Sequence, residues 1–381
     1  MAQAAESSLP LIAPFDRPGE RSPRPLAFRR LHGRKLRVNI LSETPLLGFT
    51  HQGGHTAFLD CIDLMAAHPD LEIEVNSRRD ADVLHAHSWG PLYLWRGALQ
   101  RGRRIFTAHV LPETAHGTLA SPGVPFFHRY LSFVYDYSDV VIAVSPKMAE
   151  TMSELGVRAQ VRTVPNPLRM ERFHQSAELR SEGRRLLGIH DDRPLVLGVG
   201  QLQPRKGIDD FARVAAGVPD ASFVWVGGRP FGVFSAGIGQ LRRLRAEAPP
   251  NFSFGGMFPM EQMPAIYNAA DVFLFPSHHE NCPYAPMEAA ACGTPLVLRD
   301  LDGYRSLYGS GYLSASDPLG FTARVHELLR SRSERERLGR IAKALASTFR
   351  PDTYVEEMAA IYDHVACDRL KPQLRPVTDL R

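Results

Sequence analysis

An α/β protein with two parallel sheets flanking a cleft is what this sequence predicts, on three observations. Short apolar runs bounded by Gly and Pro alternate with helical patterns, and the alternation runs through the chain twice. A polar stretch, Gln175 to Arg193, divides the chain into halves of similar length. In each half the loop after the first apolar run carries glycines, Gly48 to Gly54 in one and Gly200 to Gly207 in the other. The expectation is two Rossmann-like halves joined near residues 165–190, with a ligand site at their interface.

The elements follow in order. Leu36 to Leu41 is the first strand, and a helix is expected from about Thr56 to Ala67. Leu71 to Val75 and Val83 to Ala86 are strands, the second followed by H-S-W-G-P and a helix through Tyr93, Leu94 and Leu99. Arg104 to Ala108 is a short strand ending at His109. Val140 to Val144 is another, with Ser145 as a cap and Pro146 in the first helical turn. Val161 to Val164 closes the first half. In the second, Leu195 to Val199 is a strand, then a helix runs from Ile208 to about Ala216. Ser222 to Val226 and Asn251 to Phe254 are strands, and Met260 to Ala270 is a helix. Asp271 to Pro276 is a buried strand stopped by Pro. Pro286 to Cys292 is a helix ended at Gly293, and Thr294 to Leu298 is the next strand. Asp352 to His364 is a last amphipathic helix.

Composition sets the bounds. With 381 residues, 44% hydrophobic and 23% charged, the chain is ordinary globular protein with enough length for two cores. No apolar run approaches the roughly 20 residues that cross a bilayer. Leu9 to Ile12 is too short for the core of a signal peptide, so none is expected. The four cysteines form no C-x-x-C pair, which suits reduced thiols in the cytoplasm. The net charge of +4 is concentrated in residues 1–37, where eight Arg/Lys face three Asp/Glu. Residues 1–35 are expected to form a disordered, Pro- and Arg-rich basic arm, suited either to anionic lipid or to no partner. No nucleic-acid motif accompanies it, so no nucleic-acid partner is expected.

Glu280 and Glu288 stand eight residues apart across the turn from strand to helix. That loop lies at the carboxyl edge of a parallel sheet, where open α/β folds bind ligands. Two carboxylates so placed can accept bonds from two hydroxyl-bearing groups while the helix N-terminus meets a phosphate. The alternative is a glutamate that only complements the helix dipole. The loop G-Q-L-Q-P-R-K-G, with Arg205 and Lys206 before Gly207, offers two cations and free backbone N–H groups to a pyrophosphate. It fits neither G-x-x-x-x-G-K-[ST] nor G-x-G-x-x-G, and a capping loop with solvated charges is its other reading. Gly53 and Gly54 allow close approach in the equivalent loop of the first half. His109 follows a strand and can face the cleft. His51, His55, His85, His87, His278 and His279 show no helical pairing with a third ligand, so no metal site is expected. Val124 to Tyr137 is strongly aromatic, and as a helix it is either core or a membrane-interface element. Leu241 to Arg245 reads as a charged helix face.

These pieces resemble a retaining glycosyltransferase of the GT-B fold, in the large nucleotide-sugar family numbered four. The likeness runs from about Arg37 to Val365. It rests on Glu280 with Glu288 and on G-Q-L-Q-P-R-K-G, supported by T-A-H at 107–109, V-P-N-P-L near Asn166 and Y-N-A-A-D at 267–271. It implies a first domain at 36–175 for the acceptor, a nucleotide-sugar domain at 190–345, and a helix at 350–366 crossing back to the first domain. It assigns Glu288 to the donor ribose and Glu280 to a hydroxyl of the transferred sugar. Asn281, Cys282, Pro283 and Tyr284 would meet sugar and phosphate through their backbone. Arg205 and Lys206 would neutralise the diphosphate, and no metal would be required. Gly54 would make room for the donor, His109 would lie beside the reacting sugar, and Met257 and Phe258 would line the base pocket. Many relatives carry Arg where this chain has Gln201, and Arg205 is the obvious substitute.

The motifs G-Q-L-Q-P-R-K-G, H-A-H-S-W-G-P and T-A-H-V-L-P-E-T resemble the branch that glycosylates diacylglycerol. That branch implies a UDP-sugar donor, a membrane lipid acceptor and peripheral contact with the anionic inner face of the cell membrane. Phe126, Phe127, Arg129 and Tyr130 become the acceptor or membrane residues. A soluble saccharide or polyprenyl-linked acceptor, or a GT-B protein that binds without turnover, stays open as an alternative.

Overall fold

The computed structural model describes residues 34–45, 53–111, 124–228 and 238–367. The basic arm lies outside them except for its last two residues. Of these, Arg34 is tied by both guanidinium nitrogens to Asp82 at 2.7 and 2.8 Å.

Two six-stranded sheets form, every pairing parallel. The first has the order β2-β1-β3-β4-β5-β6, from Leu36–Leu41 (β1), Leu71–Val75 (β2), Val83–Ala86 (β3), Arg103–Ala108 (β4), Val140–Ala143 (β5) and Gln160–Thr163 (β6). The second has the order β12-β11-β10-β7-β8-β9, from Leu195–Val199 (β7), Ser222–Val226 (β8), Phe252–Gly256 (β9), Val272–Phe275 (β10), Leu296–Arg299 (β11) and Leu313–Ala315 (β12). Helices cover both faces, so all four residues of β3, β5, β10 and β11 are buried, and β5 and β10 read as unbroken apolar runs. The GT-B expectation of two facing Rossmann-like domains is met.

Strand order locates the binding crevice. In the second sheet the order reverses between β7 and β10, so the loops after these two strands open at the switch point. They are the loops of Arg205–Lys206 and of Glu280. In the first sheet the reversal lies between β1 and β3, and His87 directly follows β3.

The last helix, Pro351–Cys367, packs on the first sheet. Its Tyr354, Met358, Ala359, Tyr362, Val365 and Ala366 share a buried cluster with Val38, Ile40, Phe58, Cys61 and Val83. This helix is thus built into the first domain's core, as the crossover expectation required.

Two regions differ from the sequence reading. The polar stretch Gln175 to Arg193 contains a helix, Ala177–Leu186, whose N-cap Ser176 accepts a bond from the Leu179 N–H at 3.2 Å. Only Gly183 of this helix is buried, so no apolar periodicity announces it. Residues 302–346 contribute three further helices, Asp302–Tyr308, Pro318–Arg330 and Arg332–Ala346, where the sequence reading named no elements. Their apolar residues are widely spaced among arginines and glutamates. Each becomes identifiable only once packed against its neighbours.

Candidate functional site between the two sheets

The loop after β7 turns through a single helical turn, Pro204–Lys206, and ends at Gly207 with φ 72°. A β-carbon at Gly207 would lie 2.2 Å from the Pro276 carbonyl oxygen, on the loop after β10. Glycine therefore lets the two ligand loops touch, and the pair is bound further by the His278 N–H donating to Arg205 O at 2.8 Å. Substituting Gly207→Val is expected to destabilise the fold by at least about 2 kcal/mol, from strain at positive φ plus a clash with rigid backbone. Urea denaturation measures it; unchanged stability would contradict this account of the loop contact.

Glu280 is the centre of this pair of loops. Its Oε1 accepts from Lys206 Nζ, from Ser277 Oγ at 2.7 Å and from Arg205 Nη1 at 3.3 Å. Arg205 also donates to the His279 carbonyl at 3.1 Å, which anchors its guanidinium beside Glu280. Burial would push the Glu280 carboxyl up, but the charges of Lys206 and Arg205 and the bonds from Lys206 and Ser277 outweigh it and hold it below the ordinary range. Burial moves Lys206 the other way: its ammonium falls to about 8, against the opposing pull of Glu280. Gln201 sits half-buried at the start of the loop, its carbonyl accepting from the Gln203 N–H.

The helix Tyr284–Ala291 begins at Pro283 with no side-chain cap, so its first N–H groups are left for a ligand. It starts two residues earlier than the periodicity suggested. Glu288 lies in its second turn, buried, accepting from Tyr267 Oη at 2.6 Å. Burial pushes Glu288 up to about 7, opposed by the Tyr267 bond. Sequence reasoning quoted Y-N-A-A-D only as a motif; its tyrosine proves to hold a glutamate of the site.

Residues 281–284 are fastened to the first domain. Asn281 Nδ2 donates to the His109 carbonyl at 2.9 Å, Asn166 Nδ2 donates to the Cys282 carbonyl at 3.1 Å, and Tyr284 Oη donates to Asp60 Oδ2 at 3.0 Å. Arg169 holds the other Asp60 oxygen at 2.9 Å. Asp60 was missed because it falls on the inner face of Gly53–Ala66, one carboxylate among many until the second domain meets it. The Cys282 thiol is buried and pushed up to about 12 by that burial.

His109 directly follows β4, and a β-carbon at Gly54 would sit 3.5 Å from its ring. Gly54 thus brings the start of Gly53–Ala66 against the histidine, and Gly53 lies 4.0 Å, by the same measure, from the Tyr284 ring. Two helix N-termini therefore face each other across the cleft, an arrangement suited to an anion. Phe258 packs half-buried on the large core, and Met257 beside it is exposed.

The acceptor candidates form a separate group. Phe127 meets Trp89 edge-on at 5.0 Å between ring centres, and Tyr130 Oη donates to the Trp89 carbonyl at 2.5 Å. Arg129 is exposed, and the Phe126 side chain lies outside the described residues. The helix Val124–Asp136 is both core and surface: Leu131, Val134 and Tyr135 are buried, while Phe133 is exposed.

On metals the structure adds a group that spacing did not show. Ligand atoms of Cys61, on a helix, of His85, on β3, and of His87, just after it, lie within 4.8 Å of one another. Both ring nitrogens of His85 are already engaged, Nδ1 with Tyr362 Oη and Nε2 with Thr107 Oγ1, each at 2.7 Å. That leaves at most two ready ligands, fewer than a structural zinc site uses.

Comparison with known proteins gives a consistent pattern. Residues 180–345 match the family described as glycosyl transferases group 1, and residues 51–172 match glycosyltransferase family 4. The chain is 35% identical over 294 residues to an alpha-galactosylglucosyldiacylglycerol synthase of Streptococcus pneumoniae, covering 73% of this chain and 76% of that one. It is 30% identical over 311 residues to a D-inositol 3-phosphate glycosyltransferase of Acidothermus cellulolyticus, covering 76% and 68%. A processive diacylglycerol alpha-glucosyltransferase of Acholeplasma laidlawii is 29% identical over 185 residues, 47% of this chain and 54% of that one. Among solved structures, sucrose-phosphate synthase from Thermosynechococcus elongatus superposes with TM-score 0.74 at 18% identity, over 88% of this chain and all of that one. Anabaena HepE in complex with UDP-glucose gives 0.71 at 16%, over 86% of this chain and all of that one.

Proposed function

The chain belongs to the group 1 glycosyltransferases, and from that premise we propose that it moves a hexose from a UDP-sugar to a membrane lipid of the diacylglycerol type, with retention, at the inner face of the cell membrane. One observation carries the donor half: Glu280, Lys206 and Arg205 meet at the switch point of the second sheet, beside the uncapped N-terminus of Tyr284–Ala291. In this reading Arg205, Lys206 and the helix N–H groups take up the charge that appears on the diphosphate, so the reaction needs no metal. Glu280 and Glu288 accept from hydroxyls of the sugar and the ribose, with Phe258 at the base. The bond from the anomeric carbon to the phosphate oxygen breaks, and its electron pair stays on the phosphate. The acceptor hydroxyl forms the new bond on the same face, and its proton passes to the departing phosphate. The glutamates are anchors here and not the acid and nucleophile of a hydrolase. HepE, of like fold, was solved with UDP-glucose, which supports the donor choice.

The acceptor half draws on the diacylglycerol-named relatives and on the surface of the first domain. Two helices, Pro91–Leu99 and Val124–Asp136, are tied at their margins, where Tyr130 Oη donates to O of Trp89, just before the first, and Oη of Tyr137, just after the second, donates to Leu94 O. Their outer sides expose Trp95 (54%), Leu99 (62%) and Phe133 (55%), with Arg101 and Arg129 exposed nearby in sequence. Aromatic and aliphatic groups beside arginines suit the headgroup boundary of an anionic bilayer. Among the described residues no helix is long and apolar enough to cross a membrane. The double variant Trp95→Ser with Phe133→Ser is expected to lower co-sedimentation with anionic vesicles about tenfold or more, since each ring buried contributes about 1.5–3 kcal/mol. Transfer to a detergent-dispersed acceptor should stay near normal. Undiminished pelleting would remove this face from the reading.

A soluble acceptor is the second reading, favoured by the inositol-phosphate relative. A panel of nucleotide sugars with diacylglycerol vesicles, read by mass spectrometry of the lipid fraction, decides between them. A hexosyl lipid is the expected product. Transfer only to water-soluble acceptors, with no glycolipid under any donor, overturns the lipid proposal.

A further inference from the structure

His87 follows β3 with its backbone N–H bonded to the Leu41 carbonyl at 2.9 Å, and its ring is buried. Its Nδ1 lies 3.2 Å from His109 Nε2, and the rings are stacked, 5.3 Å apart at 29°. At that separation one proton lies between the nitrogens, so one ring donates and the other accepts. The direction follows from the far side of His87, where Nε2 is sealed from solvent and has no hydrogen-bond partner among the described residues. If His109 were the donor, the His87 proton would sit on Nε2, giving a buried N–H with no acceptor. If His87 is the donor, Nε2 carries only a lone pair, and a bare buried acceptor is the milder defect.

The neighbours cannot relieve Nε2. Among the described residues, His85, 4.5 Å from His87 between ring centres, has both nitrogens engaged. The Phe58 ring packs edge-on at 5.8 Å. The Cys61 thiol, the remaining ionisable group of this cluster, is pushed up to about 11 by burial and stays neutral.

We propose that His87 is a positioning residue: its Nδ1–H donates to His109 Nε2, locks His109 in the tautomer protonated on Nδ1, and so presents a hydrogen-bond donor to an oxygen of the transferred sugar. The proposal rests on the reading of His109 as a sugar contact. His109 Nε2 is occupied by His87, and Nδ1, without a partner among the described residues, is the nitrogen left for a ligand. Burial lowers both rings, His109 to about 4, so neither is an imidazolium at neutral pH and the pair works by tautomer, not by charge.

The test starts on unsubstituted protein. With ring-15N histidine, and the His109 signals identified by their loss in His109→Gln, nitrogen shifts at pH 7 should show His109 protonated on Nδ1 and bare on Nε2. The opposite assignment overturns the proposal without a variant that could misfold. Two variants then carry it to turnover. His87→Asn keeps an N–H near the former Nδ1 and should retain activity within about tenfold. His87→Asp can only accept, should switch the His109 proton to Nε2, and should lower kcat about 100-fold or more with little change in donor KM, as a wrong tautomer does elsewhere. Equal loss in both variants would mark His87 as merely structural and overturn the positioning role. His109→Ala separates the premise: full turnover there would remove the sugar contact even with the tautomer confirmed.

Discussion

Replacing Lys206 by alanine is expected to lower kcat about 100- to 1,000-fold, corresponding to about 3–4 kcal/mol of lost transition-state stabilisation. The ammonium is buried, rests 5.1 Å over the Phe275 ring and is bonded to Glu280, so it is fixed before substrate arrives. Charge held in place in a dry site needs no reorganisation when the phosphate departs, and that is where a cation acts most strongly. Arg205 remains in the variant, but its bonds to His279 O and Gln203 Oε1 tie it to the loop and prevent full replacement. A pH dependence goes with this. Burial lowers Lys206 to about 8, below an ordinary lysine, and in the proposed reaction only its protonated form neutralises the diphosphate. Activity should therefore fall as pH rises through about 8 in kcat/KM, which reports the free enzyme. The same limb should lie higher in kcat, because bound diphosphate favours the ammonium. Steady-state kinetics from pH 6 to 10 checks both; an unchanged rate for Lys206→Ala would show that the leaving group departs elsewhere.

The second large effect is expected from Glu280→Gln, which keeps shape and removes charge. Breaking a buried ion pair on one side leaves the other charge unpaired, a loss of about 3–5 kcal/mol in stability. Lys206 moderates this by releasing its proton, so about 3 kcal/mol at pH 7 is the expected figure. The sign then depends on pH. Glu280 has a depressed carboxyl, so its contribution is present above the unfolded carboxyl range and is lost as pH falls through its folded value. Lys206 is depressed as well, and above about pH 8 it is neutral in the folded state. The stability gap between the two proteins should therefore be greatest near neutrality and shrink both in acid and past pH 8. Turnover should fall about 100-fold, from the lost hydroxyl acceptor and a de-protonated Lys206 together. Thermal denaturation across pH, paired with product assays, reads both effects. A gap that widens in alkali would mean that Lys206 is not the partner that matters.

Both predictions concern residues that the sequence had singled out, and the reason is local. Arg205 and Lys206 stand before a glycine that permits a positive φ, and Glu280 stands between an apolar run and a helix pattern. Loop position relative to strand and helix is written in a few contiguous residues, and so is the helix N-terminus beside them. Asp60, Tyr267, His87 and Ser277 carry no such mark. Each is an ordinary polar residue on an ordinary element, and each gains its part only from a group at least three and as many as 224 residues away. The Ala177–Leu186 helix escaped for a related reason: its burial is confined to one glycine against the Ala265 backbone, which hydrophobic periodicity cannot register.

The chain's own order of residues determined the two parallel sheets, the cleft and the cationic loop, because alternation of apolar runs, glycine placement and cap residues act over a turn or two of chain. Only the tertiary structure decided which partner each ionisable group meets: that Lys206 closes on Glu280, that Tyr267 holds Glu288, that Asp60 and Asn166 fasten one domain to the other, and that two histidines just past neighbouring strands meet. Those pairings depend on strand order and on where the last helix returns, distances fixed by packing across the whole molecule and not by spacing along it.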